Sequence, residues 1–253
     1  SCLVYAVLVS LHLFGLSSLE LDHLFVVERE IEVEEMADDT LNRDARIKLS
    51  IGSKQEARAD GRFGLPRGLA FDHHRGLLLV ADTKNHRVQA FSYDDDDGGS
   101  FVSKFGRYGD QPGHFQYPRG ITIDHDHDRI LVVDCFNHRV QSWSLSDQSF
   151  LSCIGKYGSG DLEFQYPQGI AIDKHHHRII IVDTNNNRLV FLSSIDLSFL
   201  FEIGKRGSQP GEFNCPTGIA IDDDRHRIIV TDTSNDRVQV LSSIDGSFLF
   251  EFG

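Results

Sequence analysis

From residue 61 onward, apolar residues fall into short runs separated by Gly, Asn, Asp and Ser, and the runs differ in kind. One stretch shows the whole set. Gly169–Asp173 (Gly-Ile-Ala-Ile-Asp) predicts a first strand. Arg178–Asp183 encloses an unbroken β-branched run, Ile-Ile-Ile-Val, which predicts a second strand buried on both faces. Arg188–Leu192 predicts a third. In Phe199–Gly204, Glu202 breaks the apolar run, as in a fourth and more exposed strand. The polar joints are the punctuation that strand ends require. Nothing between 61 and 253 sustains a 3.6-residue apolar period, so almost no helix is predicted there.

The set recurs. Pro66, Pro118, Pro167 and Pro216 stand 52, 49 and 49 residues apart, and every following marker keeps the same offsets. Those markers are Gly68, Gly120, Gly169 and Gly218; Asp72, Asp124, Asp173 and Asp222; Asp82, Asp134, Asp183 and Asp232; Asn85, Asn137, Asn186 and Asn235; and Arg87, Arg139, Arg188 and Arg237. Such register over four copies means stacked structural units. Units of four strands at this length predict an all-β chain folded as a β-propeller. The first copy carries three extra residues between Arg87 and Phe101, which are 14 apart where later copies have 11. The stretch Asp94–Gly99 is therefore a lengthened surface turn, where added length costs little.

Charge narrows the function classes. The chain has 38 acidic and 25 basic residues, net −13. Residues 1–60 hold 12 and 6 of these, which leaves 26 and 19 in the repeats, net −7. That balance lacks the footprint of a general nucleic-acid binder. Cys2, Cys135, Cys153 and Cys215 occupy unrelated repeat positions and outline neither a zinc site nor a disulfide framework. A reduced, cytoplasmic setting is expected for the repeats, without membrane contact. The apolar run Cys2–Leu16 lacks a basic start and falls short of the roughly 20 residues that span a bilayer, although it leaves a membrane or secretory origin open. Residues 1–44 read in two ways: as a region around or upstream of a start at Met36, or as a degenerate earlier blade, since Leu24–Glu28 echoes Ile130–Asp134. Ala45–Gly52 fits the outer strand of a preceding blade.

Four features invite a chemical reading. The pairs Asp82/Arg87, Asp134/Arg139, Asp183/Arg188 and Asp232/Arg237 are spaced to face each other across one hairpin, with the Asn between them taking the left-handed turn conformation. A catalytic group needs a distinct environment, whereas these recur in every copy, so they are assigned to the scaffold. His73-His74, His125, His127, His175-His176-His177 and His226 all fall in the turn between the first two strands. Imidazole suits zinc and copper, but these turns are expected to splay around the rim, and no metal site is assigned. The Asp94–Asp97 run lacks the glycine and glutamate placement of a calcium loop. No nucleophile motif such as Gly-x-Ser-x-Gly is present, and no catalytic residue or cofactor is assigned.

Positions that vary within the fixed frame are more informative. The loop between the second and third strands and the linker between units should share one face. The loop contributes Lys84, His86, Phe136, His138 and Asn185; the linkers contribute Arg107, Tyr108, Lys156, Tyr157, Lys205 and Arg206; the Pro-x-Gly position contributes Arg67, Arg119, Gln168 and Thr217. Basic and aromatic side chains thus gather on one face of an acidic molecule. Such residues anchor protein interfaces and also stack on single-stranded RNA.

The repeat resembles the NHL family. Gly-Ile-Ala-Ile-Asp, Asn85-His86-Arg87, Asn137-His138-Arg139, Asp-Gly-Ser-Phe-Leu-Phe-Glu-Phe-Gly (245–253) and the linkers 109–118 and 207–216 carry the likeness, which covers roughly residues 51–253. It implies a propeller of NHL-type blades over 45–253, with blades at about 61–106, 107–155, 156–204 and 205–253, four of a ring of about six. It also implies a non-enzymatic platform that binds a protein, such as the substrate-recognition part of a tripartite-motif-type ubiquitin ligase. Single-stranded RNA binding is the first alternative. An enzyme of the amidating-lyase or hydrolase type is the second; it would need metal-binding histidines lining the channel, whereas those here sit in turns.

Overall fold

The computed structural model describes residues 58–93 and 99–253. The expectations for residues 1–44, for Ala45–Gly52 and for the Asp94–Asp97 run lie outside the described residues, the last but for Gly99 beside it. The rest forms four antiparallel four-stranded sheets, each in sequence order. Blade 1 consists of β1 (Pro66–Asp72), β2 (Leu77–Asp82), β3 (Arg87–Ser92) and β4 (Phe101–Phe105). Blade 2 consists of β5 (Pro118–Asp124), β6 (Arg129–Asp134), β7 (Arg139–Ser144) and β8 (Phe150–Ile154). A short parallel pair, β9 (Lys156–Tyr157) and β10 (Glu163–Phe164), folds the next linker on itself. Blade 3 follows with β11 (Ile170–Asp173), β12 (Arg178–Asp183), β13 (Arg188–Ser193) and β14 (Phe199–Ile203). Blade 4 has β15 (Pro216–Asp222), β16 (Arg227–Asp232), β17 (Arg237–Ser242) and β18 (Phe248–Phe252). Helix among the described residues is limited to three-residue 3-10 turns.

The core lies between blades. Along β12, Ile179 and Ile181 pack toward blade 2 with Leu131, Val133 and Phe164. The intervening Ile180 and Val182 pack toward blade 4 with Phe213, Ile228 and Val230. A strand whose side chains alternate between two neighbours, both apolar, must be apolar throughout, which is why the second strands read as continuous runs. β6 and β12 are buried along their whole length, while β16 is buried only at alternate residues. Phe115, Phe164 and Phe213, one from each linker, are fully buried. Each such ring contributes roughly 1.5–3 kcal/mol of transfer free energy.

The first strands of successive blades approach closely. A Cβ on Gly120 would sit 2.4 Å from the carbonyl oxygen of Gln168 in the next blade, so only glycine allows the contact. Gly155, in the left-handed region at φ +107°, turns the chain out of β8, where a Cβ would meet the Phe164 ring at 2.7 Å.

Candidate functional site

The loop between the second and third strands and the linker entering the blade meet on one face because a buried carboxylate holds them together. Asp134 is fully buried at the end of β6. Its Oδ1 accepts the backbone N–H of Gln116 in the linker at 2.6 Å. Its Oδ2 accepts from Asn137 at 2.8 Å, Arg139 Nε at 2.8 Å and Gln141 at 3.0 Å. The Arg139 guanidinium then reaches the linker carbonyls of Asp110, Gln111 and His114 at 2.8–2.9 Å. Burial pushes the Asp134 carboxyl up, and the donated hydrogen bonds and Arg139 pull it back down. Asp82/Arg87, Asp183/Arg188 and Asp232/Arg237 repeat the arrangement at 2.7, 2.9 and 2.8 Å. These pairs fasten the linker over the hairpin.

The asparagine between them does not take the left-handed conformation expected from the sequence. Asn85, Asn137, Asn186 and Asn235 sit inside 3-10 turns and use their amides as donors to the buried Asp. The left-handed residue is the next one: His86, His138, Asn187 and Asp236, at φ 52–56°. Three of these reach into the following blade. His86 Nδ1 accepts the backbone N–H of Tyr117 at 3.1 Å, His138 Nδ1 that of Tyr166 at 3.1 Å, and Asn187 Oδ1 that of Cys215 at 2.9 Å. An accepting Nδ1 makes both imidazoles neutral with the proton on Nε2. Burial holds both below their ordinary value, Arg58 adding to the effect at His86.

Around these clamps the rings form an unbroken belt. Tyr108 meets His86 (4.8 Å between centroids), His86 meets Tyr117 (4.7 Å) and Tyr117 meets Phe136 (4.7 Å). Phe136 meets Tyr166 (5.2 Å), Tyr166 meets His138 (4.6 Å) and His138 meets Tyr157 (5.0 Å). Tyr108 is 66% exposed, Tyr157 63%, Phe136 40% and Tyr117 37%. The Arg119 guanidinium lies 6.0 Å from the centre of the Phe136 ring. An open groove of about 490 Å³ beside the belt is lined by Arg58, Lys84, Asn85, His86 and Tyr108.

Not all the predicted positions join the belt. Lys156 pairs with Glu163 at 3.1 Å and Lys205 with Glu212 at 3.2 Å, so their charges are met locally. Arg107 donates from Nε to His114 at 2.7 Å. Arg206 is exposed and bridges to Phe213. Asn185 is exposed and anchored by its backbone to Gln165 at 3.0 Å. Arg67 and Arg119 open the first strands of blades 1 and 2; crowding by protein, with Arg119 adding, lowers the Arg67 guanidinium. Gln168 and Thr217 stand at the same position in blades 3 and 4, half-buried, and Thr217 shares hydrogen bonds with Thr231 and Thr233 at 3.0 and 2.7 Å. Cys135, behind Phe136, is fully buried, and burial pushes its thiol up to about 11. Tyr117 and Tyr166 were missed by sequence reasoning. Their signal was the residue preceding each Pro, a linker position where Leu65 and Cys215 stand in the other copies.

The histidines between the first and second strands lie on the opposite face. They are not splayed apart as expected: His74 and His125, from neighbouring blades, have ring centroids 4.6 Å apart, and His175 and His226 5.2 Å. Adjacent blades bring equivalent turns into contact because their first strands run side by side. His127 and His176 turn inward to Asp124 and Asp173, each at 2.9 Å.

Among curated proteins the chain is similar to Protein brain tumor of Drosophila melanogaster, 30% identical over 86 residues. The match spans 34% of this chain and only 8% of that protein. Among solved structures it is similar to hydrazine synthase of Kuenenia stuttgartiensis, with a TM-score of 0.57, 11% identity, and 79% of this chain aligned to 52% of that one. At that identity the likeness is one of fold alone. The family model described as a 6-bladed beta-propeller matches residues 70–156 and 170–251, most of the blade region, and the chain belongs to that family.

Proposed function

We propose that the chain is a non-enzymatic recognition module of the NHL type whose aromatic belt binds a protein partner. The substrate-recognition part of a ubiquitin-ligase-type protein is the setting implied by the NHL resemblance. The observation that carries the reading is the belt itself. Rings from successive blades touch in an unbroken series from Tyr108 to Tyr157, edge to face except for the tilted Tyr117–Phe136 pair, and the exposed ones stand on a backbone pinned by buried ion pairs. Rigid aromatic anchors of this kind dominate protein interfaces. Local pairing of Lys156 and Lys205, with a net charge of −7 over the repeats, favours a protein over RNA.

The test compares proteins captured from lysate by the full chain and by a Phe136→Ala/Tyr157→Ala variant shown to be folded by circular dichroism. A partner that depends on the two rings supports the reading; capture that ignores them overturns it. In parallel, anisotropy of an unstructured RNA oligomer is followed across salt concentrations. Tight binding at physiological salt, with a steep salt slope that Arg119→Ala flattens, would replace the protein reading with the RNA one.

A further inference from the structure

On the face opposite the belt, an Asp–Arg bond crosses the first hairpin in blades 2 and 3. In blade 4 Asp222 pairs with Arg225 instead, and in blade 1 the arginine position is not an arginine at all. In blade 2, Asp124 accepts from Arg129 Nε at 2.9 Å, and in blade 3, Asp173 accepts from Arg178 at 2.7 Å. Each arginine also donates to the following blade, Arg129 to the Ser194 carbonyl and Arg178 to that of Ser243. The equivalent residue in blade 1 is Leu77, which brings neither bond. Arg75 takes over the crossing instead: its Nη1 donates to the Leu145 carbonyl at 2.7 Å, and its Nη2 lies 3.6 Å from Asp128. Held there, Arg75 stays 3.5 Å from Asp72 Oδ2. Asp72 is 1% exposed. Its Oδ1 accepts the N–H groups of His74 and Arg75 at 3.0 and 3.3 Å, while Oδ2 is buried without a hydrogen-bond partner. A buried carboxylate oxygen left this way is costly unless something fills the gap.

Two imidazoles stand beside it. One ligand atom each from Asp72, His74 and His125 lie within 4.8 Å of one another, His74 being exposed and His125 half-buried. We propose that these three residues bind a divalent transition metal of the zinc class, joining blade 1 to blade 2 where the repeat's arginine is missing. Two imidazole nitrogens with one carboxylate oxygen are a donor set for zinc and its neighbours, with a position left for water. Zinc bonds of about 2.0–2.2 Å place adjacent ligand atoms about 3.4 Å apart, so closure needs a shift on the order of 1 Å. Exposed His74 can supply it by rotating. Arg75 already forms a long ion pair with Asp72 Oδ2 at 3.5 Å, and its acceptors on Leu145 and Asp128 keep it short of hydrogen-bond distance, so metal binding must displace that pair.

The test titrates the full chain with zinc chloride by calorimetry, and with cobalt(II) by visible absorption. One saturable ion per chain is expected, with a higher thermal midpoint. His74→Ala and His125→Ala should each weaken binding at least about tenfold, a loss already typical of a metal's outer partners. His73→Ala, in the same turn but outside the cluster, should leave binding unchanged. Leu77→Arg, which gives Asp72 the repeat's own partner, should abolish it; if that variant does not fold, His74→Ala, at an exposed position, carries the test. Absence of saturable binding up to millimolar zinc overturns the proposal. So does binding that survives His74→Ala and His125→Ala but is lost when His175 and His226 are replaced.

Discussion

His138 of blade 2 and Tyr166 of the linker entering blade 3 are joined twice: Nδ1 accepts the tyrosine N–H at 3.1 Å, and the two rings meet at 4.6 Å between centroids. Protonation of that nitrogen would remove the acceptor. Burial already holds the folded-state value of His138 below the ordinary 6.5, as it does for His86 with Arg58 adding, so folding favours the neutral imidazole that the clamp also requires. A depressed value means that the stabilisation is fully present above 6.5 and is lost as pH falls through the folded value. Thermal unfolding between pH 7.5 and 5.5 should show a loss of about 1 kcal/mol per clamp. Asn187 performs the same task in blade 3, so His86→Asn/His138→Asn should stay folded and flatten the profile. An unchanged slope in the double variant would refute the clamp.

Arg188 illustrates the cost of removing a linker fastening. It binds Asp183 at 2.9 Å and the carbonyls of Ser159, Gly160 and Glu163 at 2.8–3.0 Å. Arg188→Ala leaves a buried carboxylate uncompensated, and urea unfolding should register a loss of about 3 kcal/mol. A loss below about 1 kcal/mol would place the arginine outside the scaffold.

Gly120→Ala should destabilise by roughly 1–3 kcal/mol, because the new methyl meets backbone, the Gln168 oxygen 2.4 Å away. Gly218→Ala meets the Thr231 side chain instead, at 2.9 Å, and should cost less. Equal midpoints for the two in thermal melts would argue against close approach of the inner strands.

On the belt, charge and ring should separate. Lys156 already has Glu163 as a partner, so Lys156→Ala should change partner affinity by less than about threefold, as exposed rim charges do. Tyr157→Ala, at the next residue, should weaken it by about thirtyfold or more if the ring is an interface anchor. Surface plasmon resonance on the captured partner reads both. The reverse order would shift the site from the rings to the charges.

What could be read from the sequence follows from how far apart the interacting residues lie. Asp183 and Arg188 are five residues apart across one hairpin, so spacing alone placed them face to face. The apolar run at 179–182 announced a strand with a neighbour on each side, and the period announced four blades. The roles of Asn137 and His138 were not visible, since both hold linker atoms 28 residues away: Asn137 the Gly109 carbonyl, His138 the Tyr166 N–H. Their turn geometry is set by packing across the ring rather than by local propensity. The meeting of His74 with His125 was hidden for the same reason. Nothing within one copy reveals how near the next copy's turn will lie.

The clamps all point one way. A side chain of each of blades 1 to 3 secures the entrance of the blade that follows, from His86 to Tyr117, from His138 to Tyr166 and from Asn187 to Cys215. Damage at one clamp therefore loosens the downstream neighbour before the upstream one, so the blades have a built-in polarity. Under mechanical pull or protease challenge, blades should fail in sequence toward the C-terminus of the injured turn, much as a row of tiles slips from the first broken hook.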